Sequence, residues 1–149
     1  MSTFATLEAA REYMSGDRFA MDCGVTLEEL TEDGAVCALT LGKEHLNANG
    51  GVMGGVIFTL ADFAIACAAN QIHRPTVAQQ VSCSFLSAPK GTRLTARAVC
   101  RRSGRGSTVM HVAVSDDAGR DVAGFVFTGC KLCRGERLSQ TVVFFRPVL

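Results

Sequence analysis

The sequence predicts an α+β domain in which an antiparallel sheet of about six strands wraps one long central helix. Three observations carry that expectation. From Leu46 to Ile72 only Asp62 is charged, and the stretch is rich in Ala, Leu, Ile and Phe, which favours a helix over a strand. Downstream, four runs alternate apolar and polar residues with the period of a half-buried strand. Short segments rich in Gly, Pro, Ser and Asp separate those runs and reverse the chain. At 149 residues, 48% hydrophobic and 19% charged, the chain fits one domain, 1–149, with a substantial core.

Residues 4–14 read as a short surface helix. Val25 to Thr31 and Ala35 to Leu41 are strand candidates joined at Asp33-Gly34, a hairpin dipeptide. The apolar helix runs from about Met53 to Asn70. A helix apolar on nearly every side is either fully wrapped by protein or inside a membrane. Mid-membrane, Asp62 would cost roughly 2.5–3.5 kcal/mol, so wrapping by the sheet is expected. Further strands are expected at 76–86, 92–102, 106–116 and 120–131. The turns at Pro89-Lys90-Gly91, Ser103-Gly104 and Asp117-Ala118-Gly119 are short, which makes these strands an antiparallel meander. Within 92–102, Leu94, Ala96, Ala98 and Cys100 share one face and Arg93, Arg97 and Arg101 the other. The core is expected over about residues 15–132. The tail, RGERLSQTVVFFRPVL, ends in an apolar run without an evident partner.

Composition excludes several function classes. Glu8, Arg11 and Glu12 interrupt the first weakly apolar run, so neither a secretory nor a transit peptide is read there, and a cytoplasmic location is expected. Seven cysteines, an odd count scattered along the chain, read as reduced thiols. Cys130 and Cys133 form one Cys-x-x-Cys without a second pair, and His45, His73 and His111 have no partner at i, i+4, so no metal site is expected. The formal charge of +1 hides an asymmetry: residues 1–62 sum to −7, residues 63–115 to +7 and residues 116–149 to +1. A middle third with cations only either faces an anionic ligand or forms a solvated sheet face. Few aromatics, 7%, and a balanced total argue against a nucleic-acid partner.

The chemistry concentrates in NANGGVMGGVIFTLAD, residues 47–62. A helix starting at Met53-Gly54-Gly55 presents unpaired first-turn N–H groups, and glycine lets a ligand atom approach them. Such a helix start suits an anion or an oxyanion. It lacks the Lys-Ser/Thr of a P-loop and the spacing of a dinucleotide fingerprint. A carboxylate in apolar surroundings has its pKa pushed upward, where it serves best as general base or nucleophile. Asn47 and Asn49 place amides just upstream. Gly54 and Asp62 are eight residues apart, about 12 Å along one helix, whereas groups acting on one carbonyl must lie within about 3 Å of it. Two antiparallel copies of the helix in a homodimer, each bringing Asp62 to the other's N-terminus, resolve that mismatch.

The order of hairpin, buried helix and strand meander, with HLNANGGVMGGVIFTLAD, SFLSAPKG, LTARAV and FVFTG, resembles the hotdog-fold acyl-CoA thioesterases, in particular the phenylacetate-pathway and 4-hydroxybenzoyl-CoA thioesterase branch. The likeness covers roughly residues 15–132. It implies a homodimer, usually paired into a dimer of dimers, with active sites at subunit interfaces. It further implies that Gly54 offers its N–H to the thioester oxygen, with Gly55 beside it, that Asn47 positions the carbonyl, and that the partner's Asp62 acts as nucleophile or general base. Met53 stands where the family usually has His, and a thioether neither donates a strong hydrogen bond nor carries charge. The proposed donor is main chain and survives that exchange. Ala66, one turn after Asp62, replaces a hydroxyl that some relatives carry. Arg101, Arg102 and Arg105 are candidates for the phosphates of coenzyme A, which is itself part of the substrate, so no separate cofactor is expected. The function so implied is hydrolysis of an aromatic or medium-chain acyl-CoA. A non-catalytic acyl-CoA binding module on the same fold is the alternative.

Overall fold

The computed structural model describes residues 2–133. In chain order the elements are α1 (Leu7–Met14), α2 (Arg18–Asp22), β1 (Thr26–Leu30), β2 (Gly34–Thr40), α3 (Gly54–Ile72), β3 (Thr76–Phe85), β4 (Arg93–Ser103), β5 (Ser107–Asp116) and β6 (Asp121–Lys131). The strands and the long helix end within about two residues of their expected limits, the scatter usual for element ends. All six strands form one antiparallel sheet in the order β1-β2-β4-β5-β6-β3, and α3 packs against it. This is the expected α+β architecture, a sheet around a long central helix. The C-terminal tail considered above lies outside the described residues.

The expected four-strand meander needs correcting. β4, β5 and β6 follow one another across the sheet, but β3 pairs with β6, placing Thr76 opposite Lys131 and Phe85 opposite Ala123. β4 pairs instead with β2, where Ala35 faces Ala98. A short connection fixes the direction of the next strand but not its neighbour. After β3 the Leu86 and Ser87 amides both donate to the Val122 carbonyl, at 2.8 and 3.3 Å, so the chain is drawn past the start of β6. The consequence is functional: β3, ten residues long, forms one free edge of the sheet and β1 the other.

Small side chains let α3 lie close to the sheet. Leu60, Ala61, Ala64, Cys67 and Ala68 are fully buried, and so are Cys37, Leu94 and Ala96 on the strands beneath. Burying one leucine in this way contributes roughly 1.5–3 kcal/mol. By length and composition α3 could cross a bilayer, but here the sheet covers most of it. The helix is nonetheless not wrapped on every side, as the sequence led us to expect. Gly55, Phe58 and Asp62 are exposed and Thr59 and Ala66 half-buried, and these positions recur every three to four residues as one open stripe. Asp62 sits in that stripe, so the fold leaves uncovered the one part of α3 that carries a charge.

The turn between β5 and β6 is held by Asp116. Its Oδ2 accepts from the Lys90 and Gly91 amides at 2.8 and 3.1 Å, and its Oδ1 from the Ala118 and Arg120 amides at 3.1 and 2.8 Å. These amide donors favour the ionised form and lower the Asp116 pKa from the ordinary 3.8 to about 2. A folded pKa below the unfolded one gives stability that is present above 3.8 and lost as pH falls through about 2. Asp116→Ala is therefore expected to lower the Tm at pH 7, and the gap to wild type should close in acid, which a series of thermal melts between neutral pH and about pH 2 checks.

Candidate active site

The approach to α3 is built by side chains that hold loops in place. His45, 4% exposed, donates from Nε2 to the Cys23 carbonyl at 2.9 Å and accepts at Nδ1 from the Gly42 amide at 2.8 Å. With one ring nitrogen accepting and the other donating, His45 ties two loop segments together and acts as a structural bracket. The Met53 amide donates to the His45 carbonyl at 2.9 Å, which sets where α3 begins. Between them residues 46–52 close a small loop through the bridge of Leu46 with Val52. Asn47 Oδ1 accepts from the Asn49 and Gly51 amides at 2.9 and 3.2 Å. Gly50 turns with φ of 79°, a conformation that side-chain-bearing residues rarely adopt.

This arrangement assigns the expected residues distinct places. The Asn47 carbonyl oxygen is occupied by its own loop, and its amide nitrogen is left to donate outward. Asn49 contributes its main chain to that loop. Gly54 opens α3, and among the described residues neither its N–H nor that of Gly55 has an acceptor. Glycine at 54 also answers a packing need, because a Cβ there would stand 3.1 Å from the Phe85 ring. Phe85 is itself 57% exposed, so an aromatic wall rises beside the free amides. The exposed Met53 side chain bends over Gly55. Met53 itself is extended, with ψ of 133°, and lends no side-chain cap to the helix.

Asp62 lies two turns on, along the open stripe of α3, and lines two cavities. One cavity, about 280 Å³, runs beneath α3 to the sheet and is lined by Ile65, Ala66, Ala69, Met110 and Phe127, with Tyr13 and Asp17 at its rim. The other, about 300 Å³, opens between α2 and α3 beside Phe19, Phe58 and Thr59. Although solvent reaches Asp62 in the single chain, protein crowds it on both sides. That burial raises its pKa, and the negative charge of Asp17 raises it further. Phe58, Phe85, Phe125 and Phe127 form a continuous aromatic cluster, with ring centroids 5.7–6.4 Å apart.

A single chain does not bring all the expected residues together. Arg101, Arg102 and Arg105 lie at the end of β4 and in the following turn, alongside Thr108 and Gly129. Gly54 lies at the other end of the sheet, beside Phe85 and hence near Ala123. Sequence reasoning missed Asp17, Phe58 and Phe85. Asp17 reads as an ordinary helix cap, and an apolar residue in an apolar run reads as core.

The cost of Asp62 is measurable. Its folded pKa lies above the ordinary value of 3.8, so ionising it opposes folding, with the penalty absent below 3.8 and fully present above the raised folded value. Asp62→Asn is expected to raise the Tm at pH 7 and leave it unchanged near pH 3, as thermal melts at the two pH values would show. A variant melting below wild type at pH 7 contradicts this account.

Comparison with known proteins supplies the family. Residues 49–123 match the family model described as the thioesterase superfamily. The acyl-coenzyme A thioesterase PaaI of Escherichia coli (strain K12) is 30% identical over 117 residues, covering 78% of this chain and 84% of that protein. The solved structure of E. coli PaaI superposes with a TM-score of 0.75 at 25% identity, covering 86% of this chain and 97% of that one. A mutant PaaI from Thermus thermophilus gives a TM-score of 0.74 at 31% identity, covering 78% of this chain and 100% of that one. A protein described as a hypothetical thioesterase from Streptococcus pneumoniae TIGR4, solved with coenzyme A, gives 0.72 at 26%, covering 78% and 94%. By family match, relatives and fold, the chain belongs to the thioesterase superfamily of hotdog-fold proteins and is a thioester hydrolase.

Proposed function

We propose that this chain hydrolyses an aromatic or medium-chain acyl-CoA to the free acid and coenzyme A, at sites shared between two protomers. The observation that carries the reading is the separation of donors and base. The free amides of Gly54 and Gly55 and the carboxylate of Asp62 belong to one rigid helix, about 12 Å apart along its axis. A second copy of α3, antiparallel to the first, supplies the missing half of each site.

Two surface features support such a pairing. β3 is a long free edge, and exposed strand edges are normally paired or blunted. Exposed Phe58, Phe85 and Leu86 cluster near the start of α3, where a second protomer would cover them. If the two β3 edges meet antiparallel, each Thr76 end lies beside the partner's Phe85 end. Arg101, Arg102 and Arg105 then sit at the same end of the dimer as the partner's Gly54, within range of substrate phosphates. On the outer face of the sheet, Val99 and Val126 flank His111 and are exposed, a surface on which dimers could join as a dimer of dimers.

In this reading the Gly54 N–H binds the thioester oxygen and strengthens its hold as charge develops there. The Asn47 amide nitrogen orients the carbonyl, while Asp62 of the facing protomer attacks directly or takes a proton from water. Met53 leaves both main-chain donors in place. The cavity beneath α3, about 280 Å³, exceeds the ~150 Å³ known to hold a benzene ring, which suits a single ring or a medium alkyl chain. Coenzyme A is part of the substrate, and hydrolysis in this scheme calls on no other cofactor.

A panel of acyl-CoAs differing in chain length and ring content, followed by thiol release, should show cleavage of aromatic or medium-chain esters. Asp62→Asn should lose about 100-fold or more in kcat. Binding of esters without cleavage above background would mark the chain as a binding module instead.

A further inference from the structure

Asp17 is a carboxylate with no structural occupation. It stands at the N-cap position of α2, yet its side chain makes no capping bond. Its main chain does the work of the turn, the N–H donating to the Met14 carbonyl and the carbonyl accepting from the Met21 amide, both at 3.0 Å. Among the described residues its carboxylate has no ion pair or hydrogen bond. Asp17 instead lines both of the cavities that Asp62 lines, and its charge is felt at Asp62. Two like charges set together in a cleft oppose folding unless the site uses them. The cavity beneath α3 carries a further unpartnered polar group: Thr108 Oγ1, on a residue 1% exposed, has no hydrogen-bond partner.

We propose that Asp17 is a positioning residue for hydrolysis, its carboxylate lining the same two cavities as Asp62 and favouring, through its charge, the transfer of a proton from the attacking water to Asp62. This rests on the role given to Asp62 above. The step balances without further reactants. One O–H bond of water breaks and its proton passes to Asp62, while the oxygen bonds to the thioester carbonyl carbon. On collapse the C–S bond breaks and the sulfur departs with the proton that Asp62 held, leaving free acid and thiol. Asp17 is unchanged throughout and acts through its charge.

The electrostatic surroundings are simple enough to isolate that charge. From α1 the cavities receive Tyr13, over whose ring Arg74 lies at 4.6 Å, and from α2 they receive Arg18, which makes no ion pair with either acid. The lining residues from β3, β5 and β6 include no acid or base. In the proposed dimer the only other polar neighbour argued for is the start of the partner's α3. The raised pKa of Asp62, due first to burial and then to Asp17, has the expected direction.

The test is the pH profile of kcat/KM for one cleaved thioester, measured on wild type, Asp17→Asn, Asp17→Ser, Asp17→Glu and Asp62→Asn. Asn and Ser both cap helices well, so α2 should be retained, and circular dichroism checks it. If Asp62 must be ionised to act, activity rises as pH passes its pKa. Neutralising residue 17 lowers that pKa, so in both neutral variants the acidic limb should move down by roughly one pH unit. Asp17→Glu, which keeps the charge, should hold the limb near its wild-type position. A limb that stays in place in the neutral variants while Asp62→Asn is inactive overturns the role of Asp17 and leaves that of Asp62 intact. Full activity in Asp62→Asn overturns both.

Discussion

A rise of 1.5 Å per residue along α3 fixes what this molecule does with its most distinctive residues. The amides that open the helix and the carboxylate two turns later are held on one rigid rod, close in sequence yet too far apart to meet on one carbonyl. Packing against the sheet removes any freedom to bend the helix and close that gap, since Leu60, Ala61 and Ala64 are fully buried around Asp62. The free edge of β3, the exposed phenylalanines near Gly54 and the remote arginines are the features on which the proposed pairing of two such rods rests.

The same helix shows how stability and function divide along one element. Its buried face contributes apolar area to the core, whereas its open side carries groups that oppose folding: amides without acceptors and an acid whose pKa is raised by burial and by the charge of Asp17. Such groups persist where a substrate or a partner completes them. Asp116 shows the opposite arrangement. Its four amide donors lower its pKa to about 2, and it holds a turn.

Much of the fold was legible in the sequence because burial has a period. Alternation located the strands, and the uncharged run around Asp62 located α3. Three features were not legible, for physical reasons. The pairing of β3 with β6 depends on which neighbour buries which face, and the short loop at Pro89 carries only direction. The open stripe on α3 is apolar at Phe58, so composition reads it as core although a single chain leaves it exposed. Asp17 has the residue type of a helix cap and occupies the cap position, and only the structure reveals that its side chain makes no capping bond. Gly54 and Asp62 could be proposed from the sequence because a helix start and a lone charge are local signals. Where the arginines stand relative to them is a property of sheet register and of assembly.

The shared site can be tested by complementation. Gly54→Pro removes the residue-54 N–H at a position where proline suits a helix; the extended Met53 before it, with ψ of 133°, suits the ring, and the exposed Phe85 side chain, which a Cβ at 54 would approach to 3.1 Å, has to shift slightly. Gly54→Pro and Asp62→Asn should each be inactive alone. Co-assembled in equal amounts, they should regain about a quarter of wild-type activity, because half the dimers then hold one site with both an intact amide and an intact carboxylate. Mixed oligomers no more active than either parent would contradict a site built by two chains.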